Sequence, residues 1–189
     1  ANDTSGVGSP LTLFIDDVGD TTWKPGALEV TGNTIIESTG AASKIINAVK
    51  ATNELSVEAW VLVDDFLQSG PARVATISDG TGSRNFTLGQ VGDGYECRLR
   101  TTNTSENGLP PVFDNAVLAV SQLQHIVYTF DTAGLGRLYV NGVEVAEELV
   151  AGDFSTWSNG YKLALANELT GNRPWLGELH LVAFYERAL

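Results

Sequence analysis

An all-β fold, two antiparallel sheets packed as a jelly-roll sandwich, is what this sequence predicts, and three observations predict it. Short runs rich in Val, Ile, Tyr, Phe and Thr alternate with clusters of Gly, Asn, Asp and Ser, which is how strands and turns punctuate a β chain. Helical periodicity is scarce, so long crossover helices that would join parallel strands are not on offer. Thirdly, Asn141-Gly142 sits between Gly136-Arg137-Leu138-Tyr139-Val140 and Val143-Glu144-Val145, and both turn residues accept the positive φ that a two-residue hairpin demands.

Strands are expected at 11–15, 27–30, 55–63, 72–78, 84–90, 95–102, 124–130, 136–140, 143–149, 161–166 and 175–185. About eleven strands without crossover helices favour two packed sheets over a single one. Residues 41–50 place Ile45, Ile46 and Val49 at near-helical spacing, which fits a turn or two of helix and equally a strand and loop. Alternation puts Val57, Ala59, Val61 and Val63 on one face of their strand and Glu58 and Trp60 on the other. Tyr95, Cys97 and Leu99 face inward if Arg98 and Arg100 face out, which makes Trp60, Arg98 and Arg100 candidates for one exposed sheet face.

At 189 residues the chain fits one domain that buries a normal core without disulfides or metals. Apolar residues make up 43% and mean hydropathy is +0.01, with no apolar run near the ~20 residues that span a bilayer, so membrane insertion is not expected. The 23 acidic residues against 11 basic ones, net −12, repel phosphate backbones and argue against nucleic acid as a partner. A single cysteine, Cys97, excludes an internal disulfide framework and a multi-cysteine metal site, and reads as a small core residue. The opening Ala1-Asn2-Asp3, without a basic, apolar leader, is how a processed secreted protein or an excised domain begins.

Three pieces lie in order. They are Leu55-Ser56-Val57-Glu58-Ala59-Trp60-Val61, then Gln124-His125-Ile126-Val127-Tyr128-Thr129-Phe130-Asp131 running into Gly136 to Gly142, then Trp175-Leu176-Gly177-Glu178-Leu179-His180 continuing to Leu189. In this order and spacing the chain resembles the LamG-like jelly-roll domains of the concanavalin A-like lectin/glucanase superfamily. The resemblance implies a secreted, cell-surface or periplasmic module that binds a glycan or a protein, sometimes with calcium, and often in a larger bacterial chain. Shared fold is only an analogy for function.

Two departures from the family pattern set further expectations. Asp3-Thr4-Ser5-Gly6 stands at the very start, where the family places an aromatic-rich strand before such a segment, so a first edge strand is expected to be missing or supplied by another chain. An open sheet edge of that kind would dock to a larger assembly. His180 stands where the final strand commonly carries an acid that ligates calcium. Glu178 would substitute for it if the two share a face, and His180 is otherwise a satisfied core histidine.

Catalysis is not expected. The superfamily's glucanases place two carboxylates on one strand, whereas Glu58 stands alone in its strand and Glu178-Leu179-His180 lacks a second acid. His125 and His180 lie in strands with apolar neighbours and read as structural, and no nucleophile elbow is present. The glycine-rich 80–83 and 89–94 lack a lysine-bearing helix and read as turns. Calcium would draw on loop oxygens, with Asp16, Asp17, Asp79, Asp93, Asp131 and Glu178 as candidates. For a glycan, aromatic rings stack on sugar C–H faces while amides and arginines satisfy hydroxyls. The candidates are Trp60, Arg98, Arg100, Asn103, Asn107, Trp157 and Arg173, with Trp157 and Trp175 also readable as core anchors. The expected function is therefore a non-catalytic carbohydrate-binding or adhesive module, or alternatively a structural subunit of an extracellular or periplasmic assembly.

Overall fold

The computed structural model describes residues 3–68, 70–113 and 120–189; Ala1 and Asn2 of the opening tripeptide lie outside them. In chain order the elements are β1 (Leu13–Ile15), β2 (Thr21–Lys24), β3 (Ala27–Val30), β4 (Ile36–Ser38), α1 (Ser43–Thr52), β5 (Leu55–Val63), β6 (Ala72–Gly80), β7 (Ser83–Val91), β8 (Gly94–Leu99), β9 (Val112–Phe113), β10 (Gln124–Phe130), β11 (Leu135–Val140), β12 (Val143–Leu149), β13 (Lys162–Leu165) and β14 (Gly177–Tyr185). The eleven expected strands are all present. The three unanticipated ones, β2, β4 and β9, are four, three and two residues long, too short to show a period-2 pattern.

Two seven-stranded sheets form the sandwich, the first in the order β1-β4-β13-β6-β7-β8-β9 and the second in the order β12-β11-β10-β5-β14-β3-β2. Every pairing is antiparallel. The core lies between the sheets, where Val57, Ala59, Val61 and Val63 of β5 pack opposite Phe86, Leu88, Tyr95, Cys97 and Leu99 of β7 and β8. The alternation read from the sequence holds for both segments, and burial of each valine, leucine or phenylalanine among them stabilises the fold by about 1.5–3 kcal/mol.

Residues Ser43–Thr52 resolve as helix, because this spacing puts Ile46 and Val49 together into the core. Asn53 ends the helix in the left-handed region, φ 56°, with its N–H donated to the Val49 carbonyl at 2.9 Å, the usual form of a C-terminal stop. At the β11–β12 hairpin Asn141 and Gly142 take φ 51° and 78°, as that turn requires. Asn141 also ties the turn to the neighbouring strand: its N–H donates to the His125 carbonyl at 2.7 Å and its Oδ1 accepts from the His125 N–H at 2.9 Å.

Two expectations are corrected here. Trp157 is 2% exposed, so it is a core anchor and offers no ring to a ligand. Its indole N–H donates to the Arg100 carbonyl at 2.6 Å, and its ring meets Phe154 at 4.8 Å between centroids. Secondly, Trp60 does not share a face with Arg98 and Arg100. Trp60 lies on β5 in the second sheet, Arg98 on β8 in the first, and Arg100 just beyond β8. Alternation says which side of its own sheet a residue takes, not which sheet that is.

Candidate functional site

The outer face of the second sheet carries a cluster built on three neighbouring strands. On β5, Glu58 and Trp60 point away from the core. Pairing with β10 sets His125 opposite Trp60, and pairing with β14 sets Leu181 opposite Trp60 and Ala183 opposite Glu58. His125 and Trp60 stack, ring centroids 4.5 Å apart and planes inclined by 20°, within the range where aromatic pairs attract beyond simple burial.

Glu58 is the hub. Its Oε1 takes hydrogen bonds from His125 Nε2 at 2.9 Å and Trp60 Nε1 at 3.2 Å, and its Oε2 accepts from the Tyr185 hydroxyl at 2.6 Å. Partial burial disfavours the charge, but the donations from Tyr185, His125 and Trp60 outweigh it and hold the carboxyl below its ordinary value. The same bond raises the Tyr185 phenol, whose proton is held by the carboxylate.

A β-bulge completes this face. Along β14, Leu179 pairs with Val61 and Leu181 with Trp60, leaving His180 as the extra residue. The bulge resets the alternation, so Glu178, His180, Leu181 and Tyr185 all reach the outer side. His180 is thus neither a core histidine nor paired away from Glu178: its Nε2 lies 3.1 Å from Glu178 Oε2. Lys24 Nζ bridges Glu178 and Glu29 at 2.7 Å each. Those two hydrogen bonds, Glu178 first, push the Lys24 amine up to about 12, and Lys24 in turn holds Glu178 low.

The remaining expected ligand residues gather elsewhere. Arg98 pairs with Glu96 and reaches Asn107 Oδ1 at 3.3 Å; Arg100 lies 3.4 Å from Glu106; and Asn103 is exposed in the same loop. They form one group on and beside the first sheet. Arg173 belongs to the loop before β14, its carbonyl accepting from the Arg73 N–H at 3.1 Å. Under that loop is a polar layer the sequence did not announce. Arg73 pairs with Glu168 at 3.0 Å with both side chains buried, Ser78 donates to the same carboxylate, and Arg84 is fully buried with its Nε unpartnered among the described residues. Burial, with Arg73 nearby, pushes Arg84 down to about 10.

The six calcium candidates do not assemble into one coordination shell. Asp17 accepts from the Gly19 N–H at 2.8 Å beside exposed Asp16, while Asp79 stands exposed near the end of β6 and Asp93 at the turn between β7 and β8. Asp131 receives the Ala133 and Leu135 N–H groups and Arg137, and Glu178 is engaged by Lys24 and His180. Among the described residues no three His, Cys, Asp or Glu side chains converge as metal ligands. Likewise, none of the described helices is long and apolar enough to cross a membrane.

His125 and Tyr185 are the members of the Glu58 cluster that sequence reading missed as functional. Only strand pairing brings them to Glu58, although the aromatic positions on β14 were a usable signal once the bulge is known. Trp23, 67% exposed, was also passed over, because its strand is too short to be read.

No curated protein sequence matches this chain significantly. Among solved structures, the binding domain of botulinum neurotoxin DC in complex with rat synaptotagmin II superposes with TM-score 0.66 at 13% identity, covering 100% of this chain and 46% of that one. Botulinum neurotoxin type C, whose cell entry depends upon interaction with two ganglioside molecules, gives TM-score 0.66 at 13% identity, covering 100% and 45%. The heptameric SAP-like pentraxin of Limulus polyphemus gives 0.54 at 13% identity, covering 72% and 65%. The chain thus spans less than half the length of the toxin chains, and likeness at this identity shows fold alone. A laminin G family model, described as the concanavalin A-like lectin/glucanases superfamily, matches residues 37–189. With most of the chain under that match, and the two-sheet sandwich it implies in place, the chain belongs to the concanavalin A-like lectin/glucanases superfamily.

Proposed function

We propose that this domain is a non-catalytic binding module of a secreted or cell-surface protein, and that it takes a neutral glycan on the outer face of the second sheet. The observation that carries the reading is the Glu58 hub with its stacked Trp60–His125 pair. The rings are locked by hydrogen bonds before any ligand arrives, so little rotamer freedom is lost on binding. An ionised carboxylate offers about four acceptor positions. Three of those on Glu58 are taken by protein donors, which leaves one for a sugar hydroxyl beside an apolar strip of Leu62, Leu181 and Ala183. Glu29, Glu58 and Glu178 make this face repel acidic sugars.

The same chemistry argues against hydrolysis. A general acid on a glycosidase needs a raised pKa, whereas Glu58 and Glu178 are both held low and stay ionised at neutral pH. The ganglioside dependence of the type C neurotoxin and the synaptotagmin complex of the DC binding domain lend the reading analogy by fold.

Affinity gels of neutral and acidic polysaccharides, run with calcium and with EDTA, test it. Retardation by a neutral polysaccharide is expected, weakened at least about tenfold by Trp60→Ala and accompanied by no release of reducing ends. No retardation on any plant, algal or bacterial polysaccharide in either condition would remove the proposal.

A further inference from the structure

Each sheet ends in two edge strands, and the four edges are not alike. β12 is guarded by Glu144, Glu147 and Glu148 and by a bulge against β11; β9 is two residues long and entered through Pro110-Pro111. Charge, proline, bulges and brevity are the usual means by which a sheet refuses a further strand. β1 and β2 end the two sheets on the same flank, joined by the single 3-10 turn Val18–Asp20, and β2, although only four residues long, has no proline and no bulge against β3. Its one lysine, Lys24, is drawn onto the sheet face by Glu29 and Glu178. No described strand pairs with its free side.

This flank also carries exposed apolar side chains. Trp23 is 67% exposed, Val18 70% and Phe14 54%. Trp23 pairs across the ladder with buried Leu28, so it lies on the side of β2 that looks toward the other sheet, at the open margin of the sandwich, where an added strand would cover it. Asp16, Asp17 and Asp20 lead into β2 along the chain, and Lys24, the one basic residue in the stretch from Asp16 to the end of β2, is already paired. A second copy of this chain would bring the same acidic, aromatic flank against itself. An extended segment that alternates basic and apolar residues meets both features.

We propose that β2 is a docking edge, and that its partner is a basic extended polypeptide segment that adds to the second sheet as a further strand with its apolar residues against Trp23. This site is independent of the glycan face, because Trp60 and Trp23 lie on different strands and opposite sides of the sheet.

The test uses an octapeptide of alternating valine and lysine as probe, with hydrogen–deuterium exchange to locate it. The expected result is new protection confined to Thr21–Lys24, with affinity falling at least about tenfold in Trp23→Ser or Val18→Ser and unchanged in Trp60→Ala. Both substituted side chains are exposed, and an unchanged melting temperature verifies that the variants fold. Protection scattered over the acidic surface and indifferent to Trp23→Ser would reduce the effect to bulk charge and overturn the proposal. Self-association lost in Trp23→Ser, or glycan retardation lost in that variant, would overturn it too, in favour of a second copy or a sugar as occupant.

Discussion

Glu58 shows how much of a site can rest on one side chain whose partners come from three strands. Its depressed pKa makes it a pH-dependent contributor to stability. The carboxyl is ionised more readily folded than unfolded, so its contribution is present above its ordinary value of 4.5. That contribution is lost as pH falls toward the lower folded value. Glu58→Gln is therefore expected to lower the urea midpoint at pH 7 and to leave it nearly unchanged at pH 3. An equal loss at both pH values would mean that the residue acts through packing and not through charge. Glu58 and Trp60 were legible as one exposed face because a nine-residue strand shows its alternation. His125 and Tyr185 were not, since they lie 67 and 127 positions away in the chain. The four tryptophans make the same point: Trp157 and Trp175 are buried, Trp60 is half-buried and Trp23 is exposed, and nothing in the residue type separates them.

At the scale of elements, the bulge in β14 decides what the final strand can do. Were His180 paired as an ordinary strand residue instead of bulged, Leu181 to Tyr185 would exchange faces, sending Val182 and Phe184 out and bringing Leu181 and Tyr185 into the core. Phe184 meets Phe86 of the first sheet at 6.2 Å between centroids, so the exchange would break a contact between the sheets. Inserting one alanine after Leu181, which would turn Val182 and Phe184 out of the core, is expected to abolish cooperative thermal unfolding. Deleting His180, which leaves Leu179 and Leu181 on their present partners, should preserve it, and His180→Ala should cost under about 1 kcal/mol. A cooperative insertion variant would show that the strand absorbs a further extra residue as a second bulge. The β11–β12 hairpin, by contrast, was readable outright, because Asn-Gly names its own backbone conformation. The helix was ambiguous, because Ile45, Ile46 and Val49 fit two periods and only their common burial against the sandwich chose between them.

Across the whole molecule the net charge of −12 is the property that conditions both proposed surfaces. Self-repulsion destabilises the compact state, and salt screens it, the Debye length shrinking from about 10 Å at 0.1 M to about 3 Å at 1 M. Raising sodium chloride from about 0.05 to 0.5 M is expected to increase the melting temperature by about 2–4 °C. A fall would show that ion pairs such as Arg137 with Asp131 and Glu147 outweigh the repulsion. The basic residues are also unevenly placed, with Arg73, Arg84, Arg98, Arg100 and Arg173 on or beside the first sheet. The outer face of the second carries Glu29, Glu58 and Glu178, with Lys24 between two of them and Arg137 held by Asp131 and Glu147.

Local order was decided by short-range chemistry. Strand alternation, the Asn141-Gly142 turn and the lack of long helices depend on steric and hydrogen-bonding preferences among residues a few positions apart, and these are written in the chain itself. Together with the family pattern they were enough for the sandwich. The pairing of strands decided everything that depends on distant residues meeting. It set Trp60 on one sheet and Arg98 on the other, placed His125 and Tyr185 on Glu58, put Trp157 in the core, and left β2 with a free edge. Those outcomes follow from burying one continuous core between two sheets, a condition that acts on the folded chain as a whole and leaves no mark at any single position.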